Sequence, residues 1–98
     1  MTSKEASNSG WNKFTVQDLN SIIVGCLQNR MGKIELVIDA AEQETGQTFI
    51  DMRVADKHIV ITVTNTAVSA HRFVGGEEEF IEGSDTNLLK AIKKELGI

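Results

Sequence analysis

The stretch at residues 58–64, which reads HIVITVT, decides the fold of this chain. It combines a high density of β-branched residues with turn-forming residues on both sides, which is typical of a strand. We therefore expect a central β-strand here, with residues 50–54 and 68–74 as its two neighbours. Short connections join the three segments, and such connections predict an antiparallel meander.

The register of the first hairpin follows from the alternation of apolar side chains. Directly opposed residues share a face, so a shift of one residue would exchange the inner and outer sets. We expect a two-residue turn at Asp56-Lys57, or a four-residue loop around it. The apolar pairs would then be Val54 with Ile59, Met52 with Ile61 and Ile50 with Val63. This parity places all six side chains on one inner face.

The second hairpin is predicted in the same way. A turn at Asn65-Thr66 opposes Val63 to Val68 and keeps the inner face apolar. The same register opposes Ile61 to Ala70 and Ile59 to Arg72. Because Arg72 interrupts the apolar face, we expect the hairpin to loosen there.

The opposite parity defines an outer face with an unusual composition. Aromatic, charged and β-branched residues alternate there, and a mixed patch that stays open tends to mark an interaction site. The predicted binding residues on this face are Phe49, Arg53, Val60, His71 and Phe73.

One helix is predicted on each side of the strands. Thr15 with Asp18 makes a capping-box start for the first helix, and Gly32 is its expected end. Apolar residues recur at helical spacing from Val16 to Met31. Ser84 or Asp85 is expected to cap the last helix. The expected buried stripe of that helix consists of Leu88, Leu89, Ile92 and Leu96.

Both helices are apolar on one side only, so both should cover the inner sheet face. The sequence thus predicts a two-layer α+β domain: an antiparallel meander of three or four strands with an N-terminal and a C-terminal helix packed on one face. Residues 33–39 are the additional strand, and residues 40–47 are expected to form a loop. Residues 77–82 fit either a short edge strand or a packed loop. Residues 1–10 are expected to be a disordered leader, and residues 11–98 a single domain.

Composition narrows the class of protein. The chain has 98 residues, 41% hydrophobic and 24% charged, as in an ordinary globular domain. Its formal net charge of -4 disfavours general binding to nucleic acid or anionic membranes. The single cysteine cannot form an internal disulfide, and the polar N-terminal residues do not resemble a signal peptide. We therefore expect the protein to be located in the reducing cytoplasm. No apolar run is long enough to predict a membrane span.

Candidate catalytic and metal-binding residues lack partners in the sequence. Cys26 falls on the apolar side of the first helix, which favours a buried structural thiol. His58 and His71 lack the spacing of a metal site. Ser69 is only two residues from His71 on the same strand, which does not give the geometry of a nucleophile and its general base. We therefore expect no catalytic residue, no metal and no cofactor.

These observations predict a non-enzymatic binding or regulatory module. Its partner would be another protein or a second copy of the chain, held at the outer face. The alternative is a nucleic-acid-binding domain in which bases stack on Phe49 and Phe73. Arg53 and the lysines of the last helix would supply its positive charge. Those lysines are Lys90, Lys93 and Lys94.

Overall fold

The computed structural model describes residues 13–42 and 46–98 and confirms the predicted α+β domain. In chain order the elements are α1 (Val16–Gln28), β1 (Ile34–Glu42), β2 (Gln47–Val54), β3 (Lys57–Val63), β4 (Val68–Val74), β5 (Glu77–Phe80) and α2 (Leu88–Leu96). All strands belong to one antiparallel sheet in the order β1-β2-β3-β4-β5. The predicted leader at residues 1–10 lies outside the described residues.

Within the described residues the sheet has five strands, because residues 77–80, for which the sequence allowed a strand or a loop, form a strand. β5 pairs with β4, with His71 opposite Phe80 and Val74 opposite Glu77. At the other edge, β1 continues to Glu42 and β2 begins at Gln47, so both strands reach into the stretch predicted to be a loop. The β1–β2 register shifts beyond Asp39. The sheet is therefore wider than predicted at one edge and longer at the other.

The β2–β3 hairpin has the predicted parity but a different turn. Ile50 lies opposite Ile61 and Met52 opposite Ile59, two residues away from the predicted pairs. The turn is at Ala55-Asp56 instead of Asp56-Lys57, and Ala55 adopts a positive φ of 55°. A positive φ at the first turn residue is characteristic of tight hairpins. A shift of two residues leaves every side chain on the same face, so the predicted inner and outer sets remain valid.

The β3–β4 hairpin has the predicted register. Val63 lies opposite Val68, and the Ile59–Arg72 pair is the last pair of the ladder, where we expected the hairpin to loosen. Thr64 closes the turn, because its hydroxyl accepts a hydrogen bond from the Ala67 amide at 3.1 Å.

Both helices pack on the inner face and complete one apolar core. The fully buried large side chains come from both layers. They include Phe14, Ile22, Ile50, Met52, Ile59, Ile61, Leu88 and Ile92.

Arg72, the one charged residue that interrupts the inner face of β4, donates to Glu79 at 3.0 Å and to Glu95 at 2.7 Å. The hydrogen bonds to Glu79 and then to Glu95 raise the pKa of Arg72 above its usual value, so this link among β4, β5 and α2 stays charged.

The start of α1 is as predicted, but its end is not. Thr15 and Asp18 form a reciprocal capping box. The helix ends at Gln28, and Asn29 closes it through a side-chain bond of 2.8 Å to the Gly25 carbonyl. The expected end at Gly32 is therefore wrong. The buried stripe of α1 is also narrower than the apolar pattern, because Val16 and Leu27 are exposed.

The cap of α2 is also different from the predicted one. Asn87 is the N-cap and accepts from the Lys90 amide. Ser84 is instead fully buried, and its hydroxyl binds the backbone of Ala70 in β4. The helix buries Leu88, Ile92 and Leu96 as predicted, while Leu89 is only partly buried.

Candidate binding site on the outer face of the sheet

The outer face, defined here as the side of the sheet opposite α1 and α2, carries all five predicted binding residues. Phe49 and Arg53 come from β2, Val60 from β3, and His71 and Phe73 from β4. They share this side because antiparallel pairing keeps opposed side chains on one face. Arg53 is exposed, and the other four residues are half-buried. The predicted residues therefore lie on one surface, although not as one contiguous cluster.

The middle of the outer face is a row that crosses all five strands. It consists of Val37, Asp51, Val60, His71 and Phe80, each opposite the next in the sheet. Apolar side chains occupy the two ends and the centre of the row, and the acid and the histidine lie between them. Val37 and Phe80 are exposed large hydrophobic residues. This row gives the face a partly apolar centre.

His58 links two of the predicted residues in the neighbouring row. It lies opposite Arg53 in the sheet, and its ring stacks on Phe73 with 4.7 Å between ring centroids. Its Nε2 atom is 2.9 Å from Asp51 Oδ1. Asp51 Oδ1 is also 3.8 Å from Arg53 Nε, so one carboxylate serves two neighbours. The sequence did not predict this cluster, because the predicted β2–β3 register was displaced by two residues from the observed one.

His71 has a similar environment nearer the β5 edge. Its Nδ1 atom is 3.6 Å from Glu78 Oε1, and its ring meets Phe80 edge-on with 5.6 Å between centroids. Each histidine of the face thus has one carboxylate and one phenyl ring beside it. The sequence did not pair Glu78 and Phe80 with His71, because it did not establish that residues 77–80 form a strand.

Phe49 belongs to a third row at the other end of the strands. It lies between Asp39 on β1 and Thr62 on β3. Ser69 continues the row on β4. Phe49 and Phe73 are therefore at opposite ends of the outer face, and a partner that touches both must span the full width of these rows.

The charge of the outer face is predominantly negative. Carboxylates lie along both edge strands and in the middle of the sheet. They are Glu35, Asp39, Asp51 and Glu78. Among the described strand residues, Arg53 is the one Lys or Arg on the outer face, and Lys33 lies just before β1, 3.6 Å from Glu35. The face thus combines apolar and aromatic side chains with an acidic surround.

The lysines of α2 lie in the other layer. The apolar side of α2 faces the core, so Lys90, Lys93 and Lys94 extend from the helical layer. The sheet separates them from Phe49 and Phe73. One nucleic-acid strand could not stack on the outer aromatic rings and contact these lysines at the same site, and this geometry disfavours the nucleic-acid alternative.

Within residues 13–42 and 46–98 we find no assembled catalytic or metal-binding group. Neither histidine hydrogen-bonds a Ser, Thr or Cys side chain there, and no three potential metal ligands come together. Cys26 is buried in the core, and burial raises the pKa of its thiol. A buried, protonated thiol is a poor nucleophile. The described residues of the outer face thus include no nucleophile–base pair.

Neither of the two described helices is long and apolar enough to cross a membrane. Comparisons of the chain with protein-family models, curated proteins and solved structures gave no match.

Proposed function

We propose that this protein is a non-enzymatic binding module that holds a protein partner on the outer face of its sheet. The observation that supports it most directly is that both helices cover the inner face, while half-buried aromatic and apolar side chains remain on the outer face. A mixed apolar patch with a polar surround is typical of protein interaction surfaces. The centre of the site is Val60, between Asp51 and His71.

The charges of the outer face define the chemistry of the partner. The centre can accept apolar side chains, and the carboxylates around it favour Lys or Arg. The proposed partner is therefore a protein segment in which apolar residues are flanked by basic ones. A second copy in face-to-face contact is less suitable, because each face carries an excess of carboxylates. A reducing compartment such as the cytoplasm is part of the proposal, since Cys26 is a free thiol.

A display library of random short peptides provides a defined probe. The immobilised full-length protein should enrich peptides with apolar residues flanked by Lys or Arg. Their affinity should fall with added salt, because part of it comes from exposed charges. Enrichment of acidic peptides, or of peptides whose binding ignores salt, would contradict the proposed partner chemistry.

Three variants and one control connect that binding to the outer face. Val60→Lys should abolish binding, because it places a charge in the apolar centre. Glu78→Lys should lower the affinity for the selected peptides by about two- to fivefold, which is the range for exposed charge pairs. Arg53→Glu should raise that affinity. Glu82→Lys is the matched control, because Glu82 lies after β5 beside Ala91 and Lys94 of the helical layer. Equal effects of E78K and E82K would place the binding site elsewhere.

A further inference from the structure

The two edges of the sheet are built differently. β5 is short and consists of three glutamates and a phenylalanine, a composition that discourages pairing with another strand. β1 runs over nine residues, and Val37 and Ile38 on its two sides are 62% and 56% exposed. Within the described residues, the only strand that pairs with β1 is β2. A long edge strand with exposed apolar side chains is suited to pair with a further strand.

The backbone of β1 is oriented for such pairing. The Ala55 amide donates to the Lys33 carbonyl, so Lys33 directs its backbone toward β2. Alternate residues of an antiparallel strand direct their backbone groups to opposite sides. Ile34, Leu36 and Ile38 therefore direct their N–H and C=O groups toward the free edge.

The helical layer is also apolar at this edge. A Cβ atom on Gly25 would lie 2.9 Å from Ile98, which follows the C-cap residue Gly97 of α2, so this flank of α1 faces α2. Ile23 and Leu27 are each two residues from Gly25, about 200° around the helix, and lie on the opposite flank. Val16 shares that flank at seven- and eleven-residue spacing. Because α2 packs against β4, this second flank of α1 points toward the β1 edge.

The apolar surface of the edge thus includes both layers. Val16 and Leu27 are 74% and 63% exposed, and Ile38 extends the same surface onto the sheet. We infer that this surface, the β1 edge, binds a second copy of the chain by antiparallel β1–β1 pairing around a two-fold axis. The two sheets would become one continuous sheet, with the two α1 helices side by side over the junction. This dimer uses a different surface from the proposed partner site.

The register of the dimer follows from the sequence of β1. Its regular part extends from Lys33 to Asp39, before the irregularity, and the middle residue is Leu36. An axis at Leu36 opposes Ile34 to Ile38 and Lys33 to Asp39 of the second copy. An axis at Val37 would instead oppose Glu35 to Asp39, and directly opposed like charges are destabilising. Charge and apolar pattern both favour the axis at Leu36.

Sedimentation of the full chain over a range of concentrations tests the dimer. Wild type should approach twice the monomer mass of 10.8 kDa. Ile38→Lys should raise the dimer dissociation constant about tenfold or more, because it places an unpaired charge in the junction. Val74→Lys is a matched control, since Val74 is 55% exposed but lies at the end of β4. Thermal unfolding of both variants should show that each remains folded.

A charge exchange tests the register. Lys33→Asp and Asp39→Lys should each weaken the dimer, and the double variant K33D/D39K should restore it. Hydrogen exchange should show protected amides at Ile34, Leu36 and Ile38 in wild type and faster exchange in I38K.

A wild type that stays monomeric at every concentration would overturn the inference and leave the peptide test of the outer face unaffected. A dimer that I38K preserves and V60K breaks would assign self-association to the outer face instead. Protected β1 amides in a monomeric wild type would mean that another part of the same chain covers the edge.

Discussion

Ser84→Ala should destabilise the protein more than any surface change in the same loop. Ser84 is fully buried, and its hydroxyl accepts from the Ala70 amide at 3.0 Å and donates to the Ala70 carbonyl at 3.3 Å. These backbone groups lie just past Phe80, the last residue of β5, so the hydroxyl replaces a missing strand residue. The Ala70 carbonyl also accepts from the Ile81 amide at 2.9 Å and would remain satisfied in the variant.

The expected loss therefore comes mainly from the Ala70 N–H group. A buried donor without a partner costs about 1 to 3 kcal/mol, so we expect a destabilisation of about 2 kcal/mol. In a domain of this size that corresponds to a fall in Tm on the order of 10 °C. Denaturant unfolding with a fitted midpoint and slope measures the free energy directly, and the slope should not change.

Thr86→Ala is the matched control for this measurement. The Thr86 hydroxyl also binds a carbonyl in the loop, that of Gly83 at 3.1 Å, but it is exposed. Water can replace it, so the cost should stay within about 0.5 kcal/mol. If S84A is no more destabilised than T86A, the Ala70 amide has found another partner, and the role assigned to the Ser84 hydroxyl is wrong.

Three further predictions test the core, the helix contact and the nucleic-acid alternative. Burial raises the pKa of the Cys26 thiol, so at alkaline pH the folded state keeps a proton that the unfolded chain releases. The free energy of unfolding should therefore fall as the pH rises above about 8.5. Denaturant unfolding at neutral and alkaline pH measures this decline, which Cys26→Ala should reduce. Gly25→Ala should stabilise the protein by about 0.5 kcal/mol, because the helical preference for alanine exceeds the cost of moving the flexible end of Ile98. A lower Tm in a thermal scan would instead mean that Ile98 is held rigidly. Fluorescence anisotropy at about 50 mM salt should detect no binding to single- or double-stranded RNA or DNA, and binding that requires both Phe73 and Lys93 would contradict the separation of the two layers.

Local and periodic features were determined by the sequence alone. The capping box of α1 depends on residues three positions apart, so no distant contact is needed to form it. The inner and outer faces follow from side-chain alternation, which is unchanged by the two-residue error in the first hairpin. For that reason the sequence alone predicts one shared face for five residues: Phe49, Arg53, Val60, His71 and Phe73.

The tertiary structure decided the features that depend on distant residues. The alternation of side chains is the same for a turn at Asp56-Lys57 and for the observed turn at Ala55-Asp56, so alternation alone could not choose between the two registers. Ser84 resembles a helix cap in sequence. Because β5 ends at Phe80, however, the Ala70 amide has no strand partner there and donates to the Ser84 hydroxyl instead.

The contacts of the candidate site and the β1 edge also required the fold. The Asp51–His58 contact joins residues that are neither adjacent nor directly opposed in the sheet, so alternation alone does not predict it. The exposure of Val16 and Leu27 depends on where α2 lies relative to α1, and helical spacing alone assigned both residues to the core. Spacing determines which side chains share a side of an element, whereas only packing determines which sides are covered.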